Sequence, residues 1–331
     1  MKLQELFWNA RQHRLRTLWR LSGQMVLFLA FSSCLSAVFL LPGMVFGNLE
    51  PQIEETTLRL ANLATLPATL LSVGLAGYFL DRRRFSDFGM RLNWAWVLDL
   101  GAGLALGAVL MAAIFLVERA AGWITVTGTL RANSFGGNFA VAVFFSILLY
   151  LAVGIYEELL FRGYFLRNLA EGLRLPGLSS RSALLLSWLL TSAGFGLAHA
   201  LNPNANLIST LNIAFAGIFL GLGYVLSGNM ALPIGLHITW NFFQGAVFGF
   251  PVSGGAASTS FWVIEQGGPV LWTGGAFGPE AGFLGILAML AGSLLIVLWV
   301  RWRYGRVALQ ETLAEYTSPV QQRPLVEEHL T

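Results

Sequence analysis

Apolar stretches of about twenty residues recur along the chain and are separated by shorter polar segments. They lie at about 24–46, 58–80, 95–117, 139–160, 182–200, 206–227, 230–249 and 282–300. Each can cross the hydrocarbon core of a bilayer as a helix, and they lack the strict alternation of membrane β-strands. The fifth and seventh stretches are short and carry polar residues, which weakens the prediction that they cross completely. The pattern predicts an all-α, polytopic membrane helix bundle of about eight transmembrane helices.

The composition agrees with a membrane protein. Of the 331 residues, 56% are hydrophobic and only 11% are charged, whereas soluble domains carry roughly a quarter charged residues. Intrinsic disorder requires low hydrophobicity and high charge, so it is excluded for most of the chain. The single cysteine, Cys34, forms no disulfide within the chain.

Basic residues are concentrated at one end of the predicted spans. Of the 20 Lys and Arg residues, only Arg59, Arg119 and Arg131 fall on the other side. The positive-inside rule therefore predicts a multi-pass protein of the cell (inner) membrane with both termini in the cytoplasm. Topology explains the excess of arginine, so no nucleic-acid partner is predicted.

These features divide the chain into three parts. Residues 1–23 form a basic cytoplasmic segment, for which an interfacial amphipathic helix is one interpretation. Residues 24–305 form the multi-pass membrane domain, and residues 306–331 form a polar, loose cytoplasmic tail. Residues 250–281, which are rich in Gly, Ser, Thr and Trp, are expected to be an outer loop that dips partly into the membrane.

Ionisable residues inside the apolar stretches are the candidates for function, because each costs several kcal/mol in lipid. They include Glu157, Glu158 and Arg162 in the fourth stretch, His199 in the fifth and His237 in the seventh. Glu158 and Arg162 are four residues apart on a helix and can pair. Glu157 is rotated by about 100° from Glu158 and lacks that partner. It is therefore the carboxylate available as a general base.

Two further polar pairs repeat the four-residue spacing. Phe195 precedes His199, and His237 precedes Asn241. The imidazole and carboxamide of the second pair can aim N–H donors in one direction, which is what an oxyanion requires. Together with Glu157, these groups can form a water-activating site where three spans converge. The chain lacks the Gly-x-Ser-x-Gly and His-Glu-x-x-His motifs of serine hydrolases and zinc peptidases.

Two other polar residues within the stretches have simpler interpretations. Asp99, near the start of the third stretch, is interpreted as an interfacial or helix-start charge. Asn212, inside the sixth, can hydrogen-bond to a neighbouring helix.

Three motifs lie in order on successive predicted helices: Glu-Glu-x-x-x-Arg at 157–162, Phe-x-x-x-His at 195–199 and His-x-x-x-Asn at 237–241. In this arrangement the chain resembles the CPBP family, which includes type II CAAX prenyl proteases and the bacteriocin-processing and immunity (Abi) proteins. The resemblance covers about residues 145–245 and places a protease-like core at about 139–249.

The resemblance implies an intramembrane glutamate endopeptidase. Glu157 and His199 would activate the attacking water, and His237 and Asn241 would stabilise the oxyanion. Structural support would come from Glu158, Arg162 and Phe195. The implied partners are membrane lipid and a peptide or protein substrate at the membrane, with or without a lipid modification. No cofactor is expected, although one Glu and two His also make a possible zinc set, so metal dependence stays open.

Two other functions remain compatible with the same residues. One is a non-catalytic membrane scaffold or bacteriocin-immunity factor of the same family. The other is a proton-coupled transporter that uses the Glu and His residues as a proton relay, although no inverted repeat is apparent in the sequence.

The depths of the two key residues raise a difficulty. If the fourth helix starts outside at Phe139 and the fifth inside at Arg181, then His199 lies 18 residues, about 27 Å, further along its helix. Glu157 and His199 would then lie at opposite depths. Contact requires either that the fourth helix continues past Arg162 or that the fifth is recessed, tilted or broken.

Overall fold

The computed structural model describes residues 6–46 and 51–316, which are mainly helical. The longer helices are α1 (Thr17–Phe46), α2 (Pro51–Leu63), α3 (Thr65–Leu75), α4 (Trp94–Ala120), α5 (Phe139–Glu158), α6 (Arg167–Gly172), α7 (Ser180–Ala198), α8 (Leu207–Ser227), α9 (Ala231–Asn241), α10 (Val270–Thr273) and α11 (Phe283–Tyr304). Helices α3, α5 and α9 are each extended by π-helical segments, at Ala76–Asp81, Leu159–Leu166 and Phe242–Val247. Short 3-10 turns occur at Phe85–Phe88, Phe135–Gly137, Gly275–Phe277, Pro279–Ala281 and Glu311–Ala314.

Seven helical segments in the described ranges are long and apolar enough to cross a membrane. They start at Thr17, Ile53, Trp94, Phe139, Ser180, Leu207 and Phe283. The β-structure of the same ranges is limited to two small antiparallel sheets and one isolated bridge. The predicted polytopic all-α bundle is therefore confirmed.

The seventh predicted span is the shortest of the eight in the structure. It consists of α9, with 11 residues, and its π-helical extension of 6 residues. At the ends of the described chain, the Arg14 guanidinium lies 3.4 Å from the centroid of the Tyr316 ring. Two ends that meet on one side require an even number of crossings. The segments that are long and apolar enough to cross number seven in the described ranges, so α9 is the candidate for an eighth crossing.

The N-terminal segment forms a hairpin where an amphipathic helix was expected. Strand β1 (Trp8–Asn9) pairs antiparallel with β2 (Arg14–Leu15). Between them, His13 has a φ of 51°, a left-handed conformation that interrupts a helix. Arg14 is buried and its Nη2 donates to Glu171 at 2.6 Å. This distant partner favours the hairpin over a helix lying on the membrane surface.

Helix α1 also starts earlier than the apolar pattern indicated, at Thr17 rather than near residue 24. The additional turns contain Arg20, which is buried. Its Nη1 lies 2.5 Å from Asp81 Oδ1, at the end of the second span. Because this ion pair neutralises Arg20, the basic residue does not end the membrane helix.

The first part of the predicted tail is packed against the bundle. Gln310 N donates to the Val225 carbonyl oxygen at 2.8 Å, and Leu313 and Ala314 are buried. The segment up to Tyr316 therefore packs on the ends of α7 and α8. The rest of the tail, 317–331, lies outside the described residues, as do residues 1–5.

Two polar residues tie helices together inside the bundle. Asp99 is buried and accepts hydrogen bonds from Asn229 Nδ2 and Trp299 Nε1, each at 3.0 Å, and from the Tyr304 hydroxyl. It does not cap α4, because Asn93 does so. Asn212 Nδ2 donates to the Ala281 carbonyl oxygen at 2.7 Å. Asp99 thus links α4 to α11, and Asn212 links α8 to the 3-10 turn that precedes α11.

Residues 250–281, expected as an outer loop, fold back onto the helices. Strand β4 (Thr259–Gln266) pairs antiparallel with β3 (Ile124–Ala132). Several residues of the segment are buried, among them Phe250, Thr273 and Glu280. The segment therefore forms part of the packed structure.

Glycines allow α9 to approach α4 at the level of the backbone. A Cβ added at Gly107 would lie less than 3.0 Å from the Leu236 carbonyl oxygen and from Thr239 Oγ1. A Cβ at Gly235 would be equally close to the Leu100 carbonyl oxygen. These contacts fix α9, the helix that bears His237, against α4.

Gly107→Ala is therefore expected to destabilise the protein by about 1–3 kcal/mol through overpacking. Gly101→Ala is the matched control, because Gly101 is on the same helix and a Cβ there meets nothing within 4 Å. Thermal unfolding in detergent, followed by tryptophan fluorescence, measures both variants. Equal melting temperatures would contradict the close contact of α4 with α9.

Candidate active site

A continuous helix carries Glu157 to the middle of the bundle. The helical segment Phe139–Gly172 has 34 residues and continues well past Arg162. Helix α7 is unbroken over Ser180–Ala198, and His199 is its C-terminal cap residue. The structure therefore shows the first of the two arrangements that the sequence allowed, a longer fourth helix.

Glu157 lies between the two histidines. Its Oε2 atom is 3.9 Å from His199 Nε2 and 3.8 Å from His237 Nε2. The same oxygen is buried and has no hydrogen-bond partner among the described residues. Both gaps are too long for a direct hydrogen bond. The three atoms thus face one another without bonding.

Hydrogen bonds on the far side of each ring fix the tautomer of both histidines. His199 Nδ1 is 2.8 Å from the Phe195 carbonyl oxygen, and His237 Nδ1 is 2.9 Å from Glu158 Oε1. A carbonyl and a carboxylate only accept, so each Nδ1 must carry the proton and donate. In the neutral rings, both Nε2 atoms therefore present lone pairs towards Glu157.

Glu158 and Arg162 pair, as their spacing predicted. They lie on the Nδ1 side of His237, whereas Glu157 lies on the Nε2 side. Arg162 Nη1 donates to Glu158 Oε1 at 2.8 Å, and Nη2 donates to the Gly217 carbonyl oxygen at 3.0 Å. Both side chains are almost completely buried. Because Glu158 Oε1 accepts from both Arg162 and His237, the ion pair orients the imidazole ring.

Phe195 forms a wall shared by three of these groups. Its ring lies 4.4 Å from the Arg162 guanidinium carbon, 4.7 Å from the centroid of the His199 ring and 6.2 Å from that of His237. Its carbonyl holds His199, so both its backbone and its side chain support the site.

A cavity of about 540 Å³ opens onto this cluster. Glu157, His199, His237 and Asn241 all line it. Asn241 follows His237 by one helical turn and is buried. Aromatic and aliphatic side chains make up much of the remaining wall, so the four polar groups converge on a largely apolar space.

The segment that carries these motifs can now be compared with known proteins. Residues 139–243 match the family model of the Rce1-like type II CAAX prenyl endopeptidases. This Rce1-like segment starts at the first residue of α5 and contains all three motifs, which confirms the resemblance to the CPBP family. No curated protein and no solved structure matches the chain.

One acidic residue at the cavity lies outside the Rce1-like segment and was not identified from the sequence. Glu280 is buried and lines the same cavity, as do Asn202 and Ser253. Burial raises the pKa of Glu280 to about 7. In the sequence it stands in a loop rich in glycine, where a solvated acid is unremarkable. The only signal in the sequence was that residues 182–300 contain no Lys or Arg, so Glu280 has no Lys or Arg side chain in this stretch with which to pair.

No group of three or more His, Cys, Asp or Glu side chains within 6–46 and 51–316 has the spacing of a metal site. Glu157 and the two histidines still present three donor atoms to one space.

Proposed function

We propose that the protein is an intramembrane endopeptidase of the type II CAAX protease-like family, which hydrolyses peptide bonds with water activated by Glu157 and His199. The observation that supports this function is the placement of Glu157 Oε2. This buried carboxylate oxygen has no hydrogen-bond partner in the described part of the chain and lies within 3.9 Å of two imidazole nitrogens.

The tautomers of the two histidines support a mechanism of water activation, because each neutral ring offers an acceptor at Nε2. A water molecule near these three atoms donates one hydrogen to Glu157 and the other to the lone pair of His199 Nε2. Glu157 takes the proton as the water oxygen attacks the carbonyl carbon. When the C–N bond breaks, the protonated Glu157 returns that proton to the leaving nitrogen.

Stabilisation of the oxyanion falls to His237 and Asn241. Protonated His237 donates from Nε2, while its Nδ1–H stays bonded to Glu158 Oε1 at 2.9 Å. The Asn241 carboxamide adds a second N–H donor from the same helix face.

The substrate class follows from the cavity and its surroundings. Its volume of about 540 Å³ falls within the range of about 300–1,000 Å³ that is typical of ligand pockets. Its apolar walls suit a peptide that is membrane-embedded or delivered at the membrane, with or without a lipid modification. The description of the matching family names a prenyl endopeptidase, which makes a prenylated peptide the first candidate.

For the orientation, we propose that the arginine-rich face is cytoplasmic and that the protein lies in the cell (inner) membrane. The concentration of basic residues supports this, and the contact of Arg14 with Tyr316 supports placing both termini on that side.

Asn241→Ala tests the oxyanion role. Cleavage of an internally quenched peptide should lose about 10²–10³-fold in kcat, because one donor to the transition state is removed. The KM should change little. The assay uses purified protein in liposomes, with and without a chelator, so that it also tests metal dependence.

Asn62→Ala is the matched control for this change. Asn62 also lines the cavity but projects from α2 rather than from the helix of His237. Its variant should keep the kcat of the unaltered protein, because Asn62 lies outside the proposed oxyanion site. Equal activity of the Asn241 and Asn62 variants would contradict the assignment of Asn241.

A further inference from the structure

Polar contacts lead from the end of α7 into the segment 250–281. Asn202, in the turn after α7, donates its N–H to the His199 carbonyl oxygen at 3.1 Å. Asn202 Nδ2 donates to the Ser253 carbonyl oxygen at 2.9 Å. Ser253 N in turn donates to Glu280 Oε1 at 2.6 Å. The turn that follows His199 is thus connected to a buried carboxylate.

The Glu280 carboxylate also accepts a hydrogen bond from the helix that carries Asn241. Glu280 Oε2 accepts a hydrogen bond from Gln244 Nε2. Gln244 lies three residues after Asn241 in the π-helical extension, and its Nε2 also donates to the Pro251 carbonyl oxygen at 2.6 Å. Glu280 therefore joins the two helix ends that carry His199 and Asn241.

The surroundings of Glu280 are tightly packed. Gln244 is completely buried and Glu280 is 3% exposed. A Cβ added at Gly278, where φ is 118°, would lie less than 3.0 Å from Gln244 Nε2 and from Glu280 Oε2. The link therefore has little room to rearrange.

Only a carboxylate satisfies both neighbours at this position. One oxygen of Glu280 faces the N–H of Ser253 and the other faces the NH₂ group of Gln244. A glutamine at 280 has one acceptor and one donor. In either orientation, its NH₂ group meets another donor, and one of the two hydrogen bonds is lost.

We propose that Glu280 is a positioning residue that sets the distance between His199 and Asn241 across the cavity, acting through Asn202, Ser253 and Gln244. Its effect on catalysis rests on the proposed peptidase function, whereas the link between the helix ends is a property of the fold. Small displacements of catalytic groups cost rate, because a shift of about 1 Å can cost about 10²-fold.

The kinetic test compares Glu280→Gln with Glu265→Gln, an exposed glutamate of the same segment. Glu280→Gln should lower kcat by up to about 10²-fold and leave the KM for the quenched peptide almost unchanged. Glu265→Gln should have no effect. A loss confined to KM, or an equal loss in both variants, would overturn the proposal.

A reciprocal exchange then separates positioning from general damage. In the double variant Glu280→Gln with Gln244→Glu, the amide at 280 can accept from Ser253 N and donate to the new carboxylate. The exchange restores the contact between residues 244 and 280 but loses the hydrogen bond from residue 244 to the Pro251 carbonyl oxygen, so the variant should recover part of the lost kcat. A double variant as impaired as Glu280→Gln alone would contradict the link between residues 244 and 280.

Hydrogen exchange tests the link without reference to peptide cleavage. Glu280→Ala removes the acceptor of the Ser253 amide, so peptides covering 250–256 and the turn 200–206 should exchange faster than in the unaltered protein. Unchanged exchange in both peptides would refute the link itself. If the exchange rises but the unaltered protein cleaves no peptide, the peptidase proposal fails and the structural link stands.

Discussion

Glu157→Gln should abolish peptide cleavage while the protein remains folded. Glutamine preserves the size of the side chain but cannot take a proton from water, and a positioned general base contributes about 10²–10⁴-fold in rate. The single-turnover rate for a quenched peptide in liposomes measures this loss. A melting temperature close to that of the unaltered protein shows that the fold is retained.

Glu55→Gln is a suitable control, because Glu55 is a partly exposed residue whose side chain pairs with Arg59 on α2. Its variant should cleave normally. Unchanged turnover by Glu157→Gln would refute the peptidase mechanism. A biological activity that survives the loss of both Glu157 and His199 would support a scaffold or immunity role. A flux that depends on a pH gradient and is lost with Glu157 would support a transporter.

Arg162→Met should be among the most destabilising single changes in the bundle. It leaves the Glu158 carboxylate buried without its arginine partner. Breaking a buried ion pair in this way costs about 3–5 kcal/mol. Unfolding of the purified protein by denaturant in mixed micelles measures the loss. Arg174→Met breaks an exposed pair with Glu315 and should cost only about 0–1 kcal/mol.

The double variant Glu158→Gln with Arg162→Met distinguishes charge from packing. Removing both charges leaves no unpaired ion, so most of the lost stability should return. The amide oxygen at 158 can still accept from His237 Nδ1. Cleavage should nevertheless stay low, because a neutral amide at 158 accepts the His237 Nδ1–H more weakly than a carboxylate does and orients the ring less firmly. A double variant as unstable as Arg162→Met would contradict the electrostatic explanation.

The membrane architecture could be predicted because it depends on local sequence. A helix that crosses lipid needs about twenty apolar residues, and that requirement is visible in any window of the chain. The match to the Rce1-like model confirms the resemblance that the three motifs indicated. The roles of Glu157, His199, His237 and Asn241 stay predictions until variants are measured.

Features that depend on distant partners could not be predicted. The depth of Glu157 relative to His199 could be predicted only if it were known that the helix of Glu157 continues to Gly172. That helix passes Arg162, whose charge is neutralised only inside the bundle. Glu280 reads as a solvated loop residue until its contacts with Ser253 and Gln244 are known. In each case, tertiary contacts outweigh the local pattern.

The packing of the N-terminal hairpin has a consequence for the order of assembly during synthesis. Arg14 leaves the ribosome early, but Glu171 and Tyr316, which it contacts, follow about 157 and 302 residues later. An arginine buried without its partners is strongly unfavourable, so this segment must stay hydrated until the last helix has been inserted. The hairpin is thus made before the segments that it packs against, and it is among the last parts of the described chain to reach its native environment.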